Sequence, residues 1–147
     1  MGESNFCRFG TLGCIQTVFM GLPTVGIERV IHFTAAIPDW PTIAAKCLEI
    51  GEPAVVRMID GLPAFPDEVP DSAWRELRLG LEGGMVTLRR DGLAIHCVTW
   101  GTADPVLQKS WDRCTWAVAV AGAGTISLAD GSSLSASNFR KRFLEES

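Results

Sequence analysis

The stretch from Arg75 to Trp100 constrains the fold more than any other part of this sequence. Its first run has three leucines that alternate with polar residues, the period-two pattern of a strand with one buried face. Two further runs, residues 85–90 and 93–100, follow the dipeptides Glu82-Gly83 and Asp91-Gly92. Because such dipeptides favour tight hairpin turns, the sequence predicts an antiparallel β-meander over residues 75–100.

Two-residue turns at both dipeptides would also fix which residues lie opposite each other. One face is then wholly apolar, and the other holds polar and charged side chains, with Glu76 opposite Arg89. Helices are expected on the apolar face only, because antiparallel sheets often leave their second face to solvent. The predicted cross-strand rows are Leu77–Leu88–Ile95, Leu79–Val86–Cys97 and Arg78–Thr87–His96.

The remaining chain adds further strands and three helices to this meander. Alternation predicts a strand over residues 27–34, an apolar run predicts a strand in the middle of the sheet over 54–59, and a short strand is expected over 125–129. Asp39, Asp104 and Ser137 are the expected N-caps of the helices. The predicted fold is α+β: a mostly antiparallel five- or six-stranded sheet, two helices on its apolar face and a short C-terminal helix.

Residues 27–147 are expected to form a single α+β domain, preceded by an N-terminal extension, residues 1–26. The first segment has five glycines and no readable periodicity, so its status is left open. The chain of 147 residues is long enough for one core and shows no internal repeat.

Charge and composition exclude several classes of function. The net charge of −4 comes mostly from residues 49–82, where eight acidic residues accompany three arginines, and no basic stripe for nucleic acid is present. No apolar run approaches the roughly 18 residues of a membrane span. We therefore expect a soluble protein that binds neither nucleic acid nor membrane.

The cysteines and histidines indicate the compartment and argue against a metal site. Five cysteines, an odd number without a CxxC pair, favour a reducing compartment, and we expect a cytoplasmic protein. His32 and His96 lack companion ligands at metal-binding spacing, so neither a metal nor a cofactor is expected.

The polar face of the meander is the predicted binding site. Arginine and tryptophan are frequent anchors at protein interfaces, and both occur on this face. His96 and Cys97 are adjacent in sequence but point to opposite faces of a strand, so they are not expected to form a catalytic dyad. The candidate binding residues are Glu76, Arg78, Thr87, Arg89, His96 and Trp100; no residue is assigned a catalytic role.

Two functions remain open at this point. The first is a non-catalytic protein-binding or regulatory module, whose partner is a protein and, given the acidic centre of the chain, a basic one. The alternative is a small-molecule sensor or enzyme with a pocket between the sheet and the Pro-rich acidic loop, residues 60–72, using His96 or His32. Catalysis is the less favoured class, because no nucleophile, phosphate-binding or metal-hydrolase motif is present.

Overall fold

A computed structural model describes residues 26–100 and 104–145. The predicted N-terminal extension, residues 1–26, lies outside these ranges except for Gly26, the first residue of β1. The strands are β1 (Gly26–His32), β2 (Val55–Ile59), β3 (Leu62–Pro63), β4 (Glu76–Leu81), β5 (Gly84–Asp91), β6 (Ala94–Trp100), β7 (Thr125–Ser127) and β8 (Ser133–Ser135). The helices are α1 (Trp40–Glu49), α2 (Pro105–Gly122) and α3 (Ala136–Phe143).

The eight strands form one antiparallel sheet in the order β3-β2-β4-β5-β6-β1-β7-β8. The predicted α+β class is confirmed, whereas the predicted number of strands, five or six, is too low. The two additional strands are β3 and β8, which lie at the two edges of the sheet. Strands of two and three residues are too short to show an alternating pattern, which is why the sequence did not predict them.

The meander over residues 75–100 is present as β4, β5 and β6, with one register as predicted and one shifted. Glu82 and Gly83 connect β4 to β5, so Leu77 faces Leu88 as expected. The second turn is Gly92-Leu93 rather than Asp91-Gly92, because Asp91 pairs with Ala94. The observed rows are therefore Leu77–Leu88–Cys97, Leu79–Val86–Thr99, Arg78–Thr87–Val98 and Glu76–Arg89–His96.

This register shift leaves the assignment of faces intact. Moving a two-residue turn by one position changes each pairing by two residues, and side chains two residues apart share a face. Leu77, Leu88, Ile95 and Cys97 are accordingly all fully buried on one side of the sheet. Gly92 is the first residue of the observed turn with φ +63°, a conformation that glycine adopts without steric cost.

The prediction that residues 54–59 form a strand in the middle of the sheet is wrong in position. β2 lies next to the edge and pairs on its outer side only with the two residues of β3. A register shift between Val56 and Met58 places Arg57 at an irregularity in the pairing with β4. In β2 only the side that faces the helices is buried. Val56 is buried, whereas its neighbour Val55 on the other side is exposed.

α2 is the central helix of the apolar side. Nine of its residues, all between Ser110 and Ala119, are buried, because α2 contacts the sheet, α1 and α3. Trp116 is buried, and the guanidinium of Arg140 on α3 lies over its ring. Asp104 caps α2 as predicted, accepting from the N–H of Val106 at 2.9 Å.

A buried carboxylate ties α2 to the meander. Glu52 is fully buried, and its carboxylate accepts hydrogen bonds from the N–H of Glu82, the hydroxyl of Ser110 and the guanidinium of Arg113 at 2.8–3.0 Å. The hydroxyl of Ser110 in turn accepts from the N–H of Gly83. These bonds join the α1–β2 connection, the β4–β5 turn and α2 through one charged group.

The other two helices begin close to the predicted positions. Asp39 caps α1 through the N–H of Thr42, as expected. The cap of α3 is Ser135, which accepts from the N–H of Asn138, and not the predicted Ser137. Both serines suit an N-cap, so composition alone could not choose between them. In the described residues no helix is sufficiently long and apolar for a bilayer span.

Candidate functional site

The open face is the side of the sheet turned away from the three helices. All six predicted site residues lie on it, but His96 lies in the row of Glu76 and Arg89 rather than in the predicted row of Arg78 and Thr87. In the first row Glu76, Arg89 and His96 are neighbours, and the second row places Arg78 beside Thr87. Their shared orientation follows from the period-two geometry of three paired strands. Their role in binding stays a prediction.

His96 lies between two carboxylates on this face. Its Nδ1 is 3.4 Å from Oε2 of Glu28, without hydrogen-bond geometry, and its Nε2 is 3.9 Å from Oδ2 of Asp91. A guanidinium nitrogen of Arg89 is 3.8 Å from Oε1 of Glu28. The network therefore joins β1, β5 and β6 through four side chains of mixed charge.

Two members of this network, Glu28 and Asp91, were absent from the predicted site. Glu28 lies on the open face of β1, and its proximity to His96 depends on β1 pairing with β6. Asp91 had been assigned to a turn, whereas it is the last residue of β5 and points to the same side as Arg89. Strand alternation agrees with the side of the sheet on which Glu28 and Asp91 lie. The sequence pattern did not show the strand order, which places β1 next to β6.

On the open face, side chains at the centre of the meander are buried, whereas others are exposed. Thr87 and Val98 are buried at 3% exposure beneath their neighbours on this face. Arg78 is exposed, and Trp100 exposes half of its surface. A closed floor with protruding arginine and tryptophan side chains suits contact with another broad surface better than enclosure of a small molecule.

The histidines do not meet the Pro-rich acidic loop. His96 and His32 lie on the open face, and Nε2 of His32 is 3.1 Å from the hydroxyl of Ser127. The loop instead contacts Arg90, whose guanidinium donates to the carbonyls of Ser72 and Trp74. Arg90 pairs with Ile95 and shares the apolar side of the sheet, so the end of the loop at Ser72 contacts a side chain of the side opposite to the histidines.

A second cluster, on the helix side, was missed by the sequence analysis. Arg29 of β1 is buried with 7% exposure, and its Nη1 donates to Oδ1 of Asp112 on α2 at 2.6 Å. The guanidinium carbon lies 3.8 Å from the ring centre of Trp111 and farther, at 5.0 and 4.9 Å, from the ring centres of Phe139 and Phe143. Cation–π attraction and the ion pair together hold this charge inside the protein.

Burial dominates the electrostatics of this ion pair. The pKa of Asp112 is raised because its carboxylate is desolvated, and the hydrogen bond and positive charge of Arg29 only partly oppose that effect. The signal in the sequence was the position of Arg29 between Ile27 and Ile31, two residues from each. That spacing places a charged residue on the face that the apolar residues assign to the core.

Within residues 26–100 and 104–145, no group of three or more histidine, cysteine or acidic side chains is arranged to hold a metal ion. One cleft lies between the β4–β5 turn and α2, and another lies beside Arg29. Neither cleft is lined by His96 or His32.

Comparison of the chain with known protein families, curated protein sequences and solved structures found no match.

Proposed function

We propose that this chain is a non-catalytic protein-binding module and that the open face is its docking surface. The observation that supports this most is the exposure of Arg78 and of half of the surface of Trp100 on a face with a closed floor, where the two side chains lie on β4 and β6 with β5 between them. Tryptophan and arginine are the residue types that most often dominate binding energy at protein interfaces. The floor is built from paired strands, so docking requires little ordering of backbone.

The charged side chains of the open face favour a partner that carries both positive and negative side chains on its surface. The open face carries the arginines 78 and 89 together with the acids Glu28 and Asp91, and the last two lie beside His96. Such a mixture of charges favours higher affinity for a partner with the complementary arrangement than for a surface with charges of one sign. The expected contribution of these charges is specificity, with Trp100 supplying most of the affinity.

The test begins with a partner captured from native extract and then purified. Its affinity is measured by calorimetry against the wild type, against Arg78→Ala/His96→Ala and against Trp100→Ala. We expect each variant to retain the thermal melting of the wild type within a few degrees and to bind at least about tenfold more weakly, since truncation of an interface anchor costs on the order of 2 kcal/mol.

A matched control lies on the helix side of the molecule. Leu48 is exposed on α1 and Lys109 is exposed on α2, so Leu48→Ala/Lys109→Ala changes an apolar and a charged residue without touching the open face. This control should bind as the wild type does. Equal loss of affinity in the control and the open-face variants, or no loss in the latter, would refute the proposal.

A further inference from the structure

The cleft beside Arg29 lies where the sheet is incomplete. β7 pairs only with Val30, Ile31 and His32 of β1, and the chain turns away after Ser127. In the described part of the chain, the edge of β1 from Ile27 to Arg29 therefore has no neighbouring strand on this side. A cleft of about 430 Å³ occupies this gap, bounded by β1, α2, the β7–β8 connection and α3. This volume is within the range typical of small-molecule sites, roughly 300–1,000 Å³.

The walls of the cleft are apolar and partly aromatic. Ile27 and Leu128 line it from the sheet and the β7–β8 connection, and Trp111 and Phe143 line it from the helices. Aromatic walls favour a flat apolar ligand, because ring faces stack with offset or edge-on geometry over large contact areas.

Two cations face this cleft. Arg29 lines it, and its guanidinium lies against the rings of Trp111 and Phe143, which line the same space. A guanidinium carries five N–H donors in a planar fork, so pairing of Nη1 with Asp112 is compatible with a second acceptor. Arg142 lines the cleft from α3, with its guanidinium 5.2 Å from the Phe143 ring.

The two acids that line the cleft have other partners. Glu28 lies beside Arg89 and His96 on the open face. Asp130 accepts from the N–H and the hydroxyl of Ser132 at 2.8 and 2.6 Å. Asp112 is paired with Arg29 itself. Asp130 also lies near enough to Arg142 for that charge to contribute to lowering its pKa. Arg29 and Arg142 are the two cations that line the cleft.

We infer that this cleft binds a small organic carboxylate with a flat apolar body, seated between the aromatic walls with its carboxylate at Arg29 and Arg142. Stability alone does not account for a buried arginine here, since replacing a buried ion pair by apolar residues is often neutral or stabilising. The cleft shares β1 and Glu28 with the open face, whereas its other walls come from α2, α3 and the β7–β8 connection, which are not part of the open face. The inference does not rest on the proposed protein-binding function.

The test uses phenylacetate with two near-isosteric controls, neutral phenylacetamide and cationic phenethylamine. Methyl NMR spectra of the full chain follow Ile27 and Leu128 in the cleft and Leu62, on the far edge of the sheet, as a remote reference. We expect saturable shifts at Ile27 and Leu128 with phenylacetate, none at Leu62, and at least about tenfold weaker binding of both controls, because a charge-assisted bidentate contact is lost.

Neighbouring basic residues of α3 provide the matched variants. Arg142→Gln removes a cation that lines the cleft, and Lys141→Gln removes an adjacent one that does not. We expect about tenfold weaker phenylacetate binding for the first and unchanged binding for the second, as for charge-assisted contacts in general. Arg29→Lys, which keeps the charge beside Asp112 but loses the fork, should weaken binding at least as much.

Three results would overturn the inference. The first is the absence of shifts at Ile27 and Leu128 with about 10 mM phenylacetate, far above the affinity of a useful small-ligand site. The second is equal binding of phenylacetamide, and the third is equal binding of the Arg142→Gln protein. Arg78→Ala/His96→Ala should bind phenylacetate normally, so failure of this inference and failure of the protein-binding proposal can be told apart.

Discussion

Arg29 is the residue whose environment departs most from what its type favours. Arginine is almost never fully buried without a partner, and the partner here comes from a helix 83 positions later in the chain. Trp111, the residue before Asp112, also donates from its indole N–H to the carbonyl of Cys97 at 3.1 Å. These contacts fix the position of α2 over β1 and β6.

The Arg29–Asp112 pair predicts a non-additive mutant cycle. Arg29→Met should leave the buried carboxylate of Asp112 unpaired and lower the free energy of unfolding by about 3–5 kcal/mol, and Asp112→Leu should act similarly on Arg29. Arg29→Met/Asp112→Leu should cost less than the sum of the single changes, because apolar contacts replace both charges. Urea denaturation of the four proteins measures this. Additive single effects would show that the two side chains contribute independently.

The β2–β3 hairpin is the element that organises the Pro-rich acidic loop. Ile59 pairs with Leu62, so Asp60 and Gly61 form a two-residue turn, both with positive φ, at +50° and +86°. Asp-Gly is the residue pair most favoured for such turns. The carboxylate of Asp60 also accepts from the N–H groups of Arg75 and Glu76 at 2.7 and 2.9 Å. The side chain of Asp60 therefore links the start of the loop to the start of β4.

The difference in stability between the wild type and Asp60→Asn is expected to depend on pH. The N–H groups of Glu76 and Arg75 hold the pKa of its carboxyl below the ordinary value of 3.8. A lowered folded-state pKa stabilises the protein above the ordinary value, and that stabilisation is lost as the pH falls through the folded-state pKa. The stability of wild type relative to Asp60→Asn should therefore be greatest near neutral pH and disappear toward pH ~2 in urea titrations.

Asp60→Ala is the matched comparison for this turn. Asparagine keeps a side-chain acceptor and tolerates positive φ, whereas alanine has neither property. We expect Asp60→Ala to cost about 1–3 kcal/mol at neutral pH and Asp60→Asn to cost less. Equal costs for the two variants would mean that neither the acceptor nor the backbone conformation contributes to stability.

At the scale of the whole molecule, the three helices and the sheet enclose one core that contains three cysteines. Cys47 of α1, Cys97 of β6 and Cys114 of α2 are fully buried free thiols. Neighbouring thiols of Cys47 and Cys97, followed by burial, raise the pKa of Cys114. Since the thiolate is the reactive form, Cys114 is protected both by packing and by protonation, whereas Cys47 and Cys97 are protected by packing.

This enclosure predicts that the core thiols react only when the molecule opens. In a Cys7→Ser/Cys14→Ser protein, a thiol reagent should label Cys47, Cys97 and Cys114 together, at a rate that rises with the population of the unfolded state in urea. Ligand or partner binding to the native state should slow all three reactions equally. Rapid labelling of one thiol in native buffer would instead indicate a local opening around that residue.

The sequence by itself determined the features that depend on local periodicity and capping. The alternation of Leu77 and Leu79 with charged residues determined the faces of the meander, because side chains of a strand alternate sides whatever its neighbours are. Asp39-Trp40-Pro41 and Asp104-Pro105 determined where α1 and α2 begin, because the cap and the following proline act within one turn of helix.

The tertiary structure decided which strands are neighbours and which partner each buried charge receives. Pairing of β1 with β6 brings Glu28 to His96, and packing of α2 on β1 brings Asp112 to Arg29, over separations of 68 and 83 residues. Contacts over such distances depend on strand order and on helix packing, neither of which a local pattern contains. For that reason the open face was predictable from the sequence, and the cleft beside Arg29 was not.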